Sequence, residues 1–435
     1  MEGKHWWNRG QLLLAAWLAA VVFVFPIPHT IALRNLLLLS GVVALVWACR
    51  KSLPKLTPWM KPAAWWLIAL TSWIAFHSVA VAPSPTLALD QFRANWMMPL
   101  LLGGIAAWAA MQLPRERAAQ AVVIALAAHM VWLLGWQFKL WLATGGWPFK
   151  ATPFGAYDFQ GTLNSNLLAL LVADRLAWIR SNYSPLALGQ RAGWALLTLS
   201  LVADIALQSR NSTVVSLSIL AAGSFVLLNA RSHRRRLAIV ALGAVALIAA
   251  SSFRFDHRWQ SLRESIVIGW TSNDTYWLTG DGEPGHKISP PATPSGDPLE
   301  TSAYLRAAMA RQSIDFLADH PLGIGFGHDA FGRAIAMKHG HSGMISSHSG
   351  WLDFALGTGF VGLALLLLTG GVAIRDGSKQ FRGRRSAQGL LLAFFVGGYL
   401  LRCLLDGHLS GWRLGLFSFV VGVLVASMHE KSDEA

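Results

Sequence analysis

Apolar residues fill most of this chain in runs of about 20, the length a helix needs to cross a bilayer core of roughly 30 Å, and charged residues gather between the runs. Such runs lie at 11–28, 30–49, 63–82, 96–112, 117–143, 164–180, 191–207, 211–229, 236–252, 350–374, 387–404 and 412–428. They predict an all-α, polytopic membrane protein with about twelve transmembrane helices. One polar stretch, 253–347, interrupts the pattern. Within it Trp259, Leu262, Ile266 and Val267 recur at helical spacing between Asp256 and Trp270, predicting a helix along the membrane surface. Residues 280–298, rich in Gly, Pro, Ser and Asp, predict a connector. Thr301 or Ser302 is expected to cap a helix that runs to about Asp319 and ends at His320-Pro321. The organisation expected is helices one to nine in 1–252, a loop subdomain with short helices in 253–347, and three helices with a short tail in 348–435. The two halves share no motif or hydropathy repeat, which weakens a transporter built from inverted repeats.

Composition agrees with this class: 54% of residues are hydrophobic and only 13% charged, and the mean hydropathy is +0.44. The net charge of +14 would suggest nucleic acid if it formed a patch on a soluble face. Instead the basic residues cluster in alternate connections, with Arg50, Lys51, Lys55 and Lys61 after the second run, Arg231 to Arg236 after the eighth and Arg375 to Arg385 after the tenth. By the positive-inside rule both termini are cytoplasmic and the long loop faces the opposite, periplasmic side, so no nucleic-acid partner is expected. Cys49 and Cys403 fall near opposite faces, too far apart for a disulfide. The first apolar run lacks a small-x-small cleavage site and is expected to be a retained helix.

Chemistry is sought at the loop side. Arg210 lies in a very short connection between two runs, where a guanidinium suits a lipid diphosphate; interfacial snorkelling is its bland alternative. Arg306 falls on the predicted loop helix, where a solvated face is the alternative. His348 immediately precedes the tenth run and serves either as a hydrogen-bonding residue or as a base. Arg93 is a secondary candidate for diphosphate or acceptor phosphate. Asp174 with Arg175, and Arg402 with Asp406 at i, i+4, lie within or at the end of runs, where structural pairing is the expected role. There is no D-x-D, and Gly323-Ile324-Gly325-Phe326-Gly327 lacks the strand context and lysine of a phosphate loop. Neither a metal nor a cofactor is therefore expected.

Taken together, these residues resemble the O-antigen ligase and O-antigen polymerase superfamily of bacterial integral membrane glycosyltransferases, over about 154–365. The similar segments are Gly161-Thr162-Leu163-Asn164-Ser165-Asn166, Ser209-Arg210, Arg306 fourteen residues before His320-Pro321-Leu322-Gly323-Ile324-Gly325, and His348-Ser349 ahead of Gly357-Thr358-Gly359-Phe360-Val361-Gly362. Ser165 replaces a usual Pro, and Ser349 stands where the family often has Asn. The resemblance implies transfer of a glycan from undecaprenyl diphosphate to an acceptor hydroxyl at the periplasmic face of the bacterial inner membrane. In that role His348 takes the acceptor's proton, Arg210 and Arg306 neutralise the leaving diphosphate, and Arg93, Asn164, Asn166, His320 and Ser349 are expected to touch donor or acceptor. The ligase reading, with lipid A-core as acceptor and membrane lipids as surroundings, is the expected function. The polymerase of the same superfamily is the alternative, and a lipid-linked glycan transporter is the rival from another class.

Overall fold

The computed structural model describes residues 9–49, 61–154, 157–228, 239, 242–243, 246, 261–273, 276–279, 291–296, 298–382 and 386–428. The described residues are helical with no strand. In chain order the helices are α1 (Arg9–Val24), α2 (Ile31–Cys49), α3 (Lys61–Ala80), α4 (Pro85–Met111), α5 (Arg115–Thr144), α6 (Tyr157–Ser181), α7 (Gln190–Leu207) and α8 (Arg210–Leu228). They continue with α9 (Leu262–Thr271), α10 (Tyr276–Thr279), α11 (Thr301–Asp319), α12 (Ala330–His339), α13 (Gly350–Arg382), α14 (Gln388–Leu405) and α15 (Gly411–Ser427).

Six of these, α3, α4, α5, α8, α13 and α14, are long and apolar enough to cross a membrane, while α1, the Ile31–Val46 part of α2 and α15 are apolar but shorter. Helices α6 and α7 also coincide with expected spans, yet α6 is unlike a lipid-facing helix. Every residue from Gln160 to Ala177 is buried, because α5, α7, α8 and α14 enclose it. Protein rather than lipid surrounds it, so it can carry Asn164, Asp174 and Arg175. The Asp174 carboxylate accepts from Arg175 Nε (3.0 Å), Ser184 Oγ (2.6 Å) and the Leu186 amide (3.1 Å), which satisfies a charge otherwise costly to bury. The ninth expected span, 236–252, falls largely outside the described residues. So do the basic connections 50–60 and 229–238, residues 256–260 of the expected surface helix and most of the expected connector.

Helices α9, α11 and α12 form a layer at one end of the bundle. Trp277, Tyr304, Met309, Phe316, Phe331 and Ile335 pack there into an apolar cluster that includes Ala355 and Leu356 of α13, so the layer sits directly on a membrane helix. The predicted helix 301–319 is present, but its cap is Glu300 rather than Thr301 or Ser302: the carboxylate accepts from the Ala303 amide at 2.6 Å. An acid serves here because it also meets a cation, as described below.

The layer is anchored by a break in α13. Gly359 adopts φ 72°, ψ 179°, a conformation essentially confined to glycine, and a Cβ there would lie 2.5 Å from the Leu322 carbonyl. The break frees backbone groups that the 321–325 segment uses: Ile324 N donates to Leu356 O (2.8 Å), Gly325 N to Gly357 O (3.0 Å) and Phe360 N to Pro321 O (3.0 Å). From α3, Trp73 donates to Thr358 O at 2.8 Å and His77 Nε2 to Leu322 O at 2.6 Å. Gly359→Ala is expected to lower stability by about 1–3 kcal/mol, read as a fall in the thermal midpoint of the detergent-solubilised protein. An unchanged midpoint would show that the break carries no constraint.

Candidate functional site

The layer and the bundle meet at a cluster of charges assembled from five separated segments. Asp406, at the end of α14, is 6% exposed. Its carboxylate pairs with Arg402 at 2.9 Å, accepts from Asn211 Nδ2 at 3.0 Å and lies 3.9 Å from Arg306 of α11. Arg402, 1% exposed, also donates to Ser212 Oγ at 2.7 Å. Arg210 opens α8 and pairs with Glu300, the cap of α11, so one carboxylate both starts the loop helix and holds a bundle arginine. Arg306, one turn into α11, donates to Ser302 Oγ at 2.8 Å. The capping correction therefore has a cause: Glu300 draws Arg210 to the N-terminal end of α11, where Arg306 also sits.

His348 joins this cluster from the sequence side of α13. Its backbone is left-handed, φ 59°, rare for a residue with a side chain and a mark of a conformation held by its surroundings. One side of the residue opens to solvent. Even so, the protein packed around the imidazole, and then the Arg306 charge, hold its pKa below the ordinary 6.5, against the opposing pull of Asp406 and Asp158. The residue is thus neutral near pH 7, the form that can accept a proton. The following turn is tied to the charge cluster by Gly350 N donating to Asp406 O at 3.0 Å.

Arg210, Arg306 and His348 are thus brought to one end of the bundle. The secondary candidates separate. Asn164 is fully buried in α6 and spends both polar groups on Ser200 of α7, donating to its carbonyl (3.0 Å) and accepting from its hydroxyl (2.8 Å). Asn166 is 5% exposed on the same enclosed helix. The 161–166 segment packs helices beneath the site and meets it at two points: Gly161 lies against Ser212 and Arg402, and Thr162 bonds His408 Nε2 at 2.6 Å. His320 stacks on Phe316, ring centroids 4.4 Å apart, at the other end of α11 from Arg306. Fourteen residues of helix put it about 21 Å away. Arg93 opens a π-helical turn in α4 and reaches outward, its side chain 77% exposed and 4.0 Å from Asp90. Ser349 is buried in the turn after His348, and its hydroxyl has no partner there.

Two further site residues lacked a sequence signal of their own. Asp406 reads from spacing as the partner of Arg402, and its reach to Arg306 and Asn211 depends on packing between α8, α11 and α14. Arg413, at the start of α15, lies over the Phe159 and Trp412 rings at 4.9 and 5.5 Å and donates to Gly407 O at 3.3 Å. A cation in the first turn of a helix adds to the positive end of the dipole rather than offsetting it. Among the described residues the Nε groups of Arg306 and Arg413 are both buried without a hydrogen-bond partner, leaving two charged donors that suit an anion.

Beside this cluster, a cavity of about 460 Å³ runs between α3, α4, α13, α14 and α15, from Trp96 and Leu409 to Ala63 and Asp376. Apolar side chains such as Leu100, Leu400 and Phe417 line it. Leu409 also lines a small cleft with Gly350, Asp353 and Gly407, so the cavity begins next to the turn that carries His348.

Residues 195–367 match the family model described as O-antigen ligase, and the matched segment contains Arg210, Arg306 and His348. No curated protein matches the chain. The matched segment, about two fifths of the chain, is thus similar to the O-antigen ligase family and supplies three of the residues that meet at the charged end of the apolar helical bundle, while Arg402, Asp406 and Arg413 join them from beyond it.

Proposed function

We propose that this chain is an O-antigen ligase that moves a polysaccharide from undecaprenyl diphosphate to a hydroxyl of lipid A-core. On this reading it is a metal-independent, inverting glycosyltransferase of lipopolysaccharide biosynthesis in the bacterial inner membrane, with cytoplasmic termini and a periplasmic site. The observation that carries the reading is the pairing of a neutral, conformationally held His348 with arginine Nε donors that lack partners among the described residues.

The acceptor hydroxyl is a poor nucleophile, and neutral His348 takes its proton as the oxygen attacks the anomeric carbon. The bond from that carbon to the diphosphate oxygen breaks and its electron pair leaves with the diphosphate, which gains negative charge. Arg306 and Arg413 meet that charge from fixed positions, and Arg210 is held beside them through Glu300. Attack opposite the leaving group inverts the anomeric centre. We place the prenyl chain of the donor in the apolar cavity, whose mouth at Leu409 adjoins the cluster. The cation role that a metal fills in many glycosyltransferases falls here to arginine.

Purified protein given undecaprenyl-diphosphate glycan is expected to form product only when lipid A-core is present. Lengthening of the lipid-linked glycan without that acceptor would identify the polymerase instead, and passage of the lipid across a bilayer with neither reaction would end the enzyme reading. His348→Ala is expected to lower turnover by about 10²- to 10⁴-fold, and Arg306→Ala by about 10²- to 10³-fold, in the same transfer assay. Full activity in either variant would remove that residue from the mechanism. The active base is the deprotonated one and its pKa is depressed, so the acid limb of the kcat/KM profile should fall below pH 6.5. A limb at or above 6.5 would contradict the assignment. Chelator should leave the rate unchanged; loss restored by Mg²⁺ or Mn²⁺ would overturn the arginine role.

A further inference from the structure

Asp353 is half-buried in the first turns of α13, and the donors it meets outside its own helix decide its use. Oδ1 accepts from the Ser347 amide at 2.9 Å and Oδ2 from the Ser346 hydroxyl at 2.7 Å. The same Ser346 oxygen accepts from the His348 amide at 3.1 Å. Asp353 thus grips the chain immediately before His348 at two points, one of which passes directly to the His348 backbone.

The remainder of the turn is closed with equal economy. Ser347 Oγ donates to Ser349 O (3.1 Å) and accepts from Ser349 N (3.2 Å), while Gly350 N binds the Asp406 carbonyl. A left-handed backbone at a residue with a Cβ persists only where its surroundings over-determine it, and these bonds supply that determination. A carboxylate near a helix N-terminus is favoured by the dipole in any case. A capping acid in the first turn would reach back to the amide of the N-cap, Ser349, whereas Asp353 passes over it to Ser347 and Ser346. Among the described residues no basic side chain pairs with it, so its hydrogen-bonding capacity goes into the turn.

We infer that Asp353 is a positioning residue for His348, fixing through Ser346 and Ser347 the backbone from which the imidazole reaches the acceptor hydroxyl. This rests on the reading of His348 as the base. The action passes through the backbone: Asp353 bonds the turn and not the imidazole, and the charges that weigh most on the imidazole are those of Arg306, Asp406, Asp158 and Arg413. Misplacement of a catalytic group by about 1 Å costs on the order of 10²-fold in rate, so a residue that never touches substrate can matter to turnover.

The test uses full-length protein with undecaprenyl-diphosphate glycan and lipid A-core, comparing Asp353→Asn, Ser346→Ala and each combined with His348→Ala. Asparagine keeps the size of the side chain but removes its charge: with its oxygen on the Ser347 amide its nitrogen must donate to Ser346 Oγ, which reverses that bond and leaves weaker neutral hydrogen bonds in place of charge-assisted ones. Turnover is expected to fall about 10- to 100-fold in Asp353→Asn, less in Ser346→Ala, with the donor KM changed by no more than about threefold. In the His348→Ala background neither change should lower the residual rate further, because a positioning residue has nothing left to position. Wild-type turnover in Asp353→Asn beside an impaired His348→Ala would reduce Asp353 to a helix cap. A loss that multiplies with that of His348→Ala would make its role general stability. Should Asp353→Asn fail to fold, Ser346→Ala alone and with His348→Ala decides by the same comparison. Full activity in His348→Ala would instead overturn the base, and the positioning role with it.

Discussion

The Asp406 carboxylate is the point on which the site depends. Arg402 is almost wholly removed from solvent, and a guanidinium in that position persists only with charge and hydrogen-bond partners. Asp406 and Ser212 supply them, and in doing so fix the end of α14 against the start of α8. The same carboxylate faces Arg306 from the overlying layer, and the Asp406 carbonyl receives Gly350 N. Removing one partner of a buried pair costs about 3–5 kcal/mol, largely because the other charge is left behind. One residue, through its carboxylate and its carbonyl, thus couples four segments that sequence separates by up to about 200 residues.

A second ion pair repeats the arrangement with the roles of layer and bundle exchanged. Glu300 caps α11 and binds Arg210, so the loop helix starts where a bundle helix starts. The result is a basic surface whose arginines are partly neutralised and held, while the Nε groups of Arg306 and Arg413 keep unused donors. Fixed donors cost no reorganisation when charge develops on a leaving group. A flexible lysine would be a poorer choice than the planar, pre-organised guanidinium.

Two unusual backbone positions frame the same region. Gly359 breaks α13 and lets the 321–325 segment bond into the gap, and glycine meets that need at no steric cost. His348 adopts a left-handed backbone although it bears a side chain, and the surrounding turn and Asp353 hold it there. The first serves attachment of the layer. The second fixes the backbone from which the His348 imidazole projects, the residue proposed as the base.

Hydropathy by itself determined the helical class and the positions of the helices, because burial in lipid demands runs of apolar residues and that demand is local. The expected spans over 11–228 and 350–428 coincide with helices, and 301–319 was legible from its spacing and its His320-Pro321 stop. Short motifs likewise picked out Arg210, Arg306 and His348, which the fold brings to one end of the bundle. Asn164, Asn166 and His320 were equally conspicuous in sequence, but their placement depends on rotation about α6 and on distance along α11, which a motif does not encode. The use of Glu300 as both cap and counter-ion, the reach of Asp406, the bracketing of Arg413 by Phe159 and Trp412, and the grip of Asp353 on the His348 turn were decided by tertiary structure alone. Each depends on side chains from segments far apart in the chain arriving within about 3–5 Å of one another, and only the packing of helices sets that proximity.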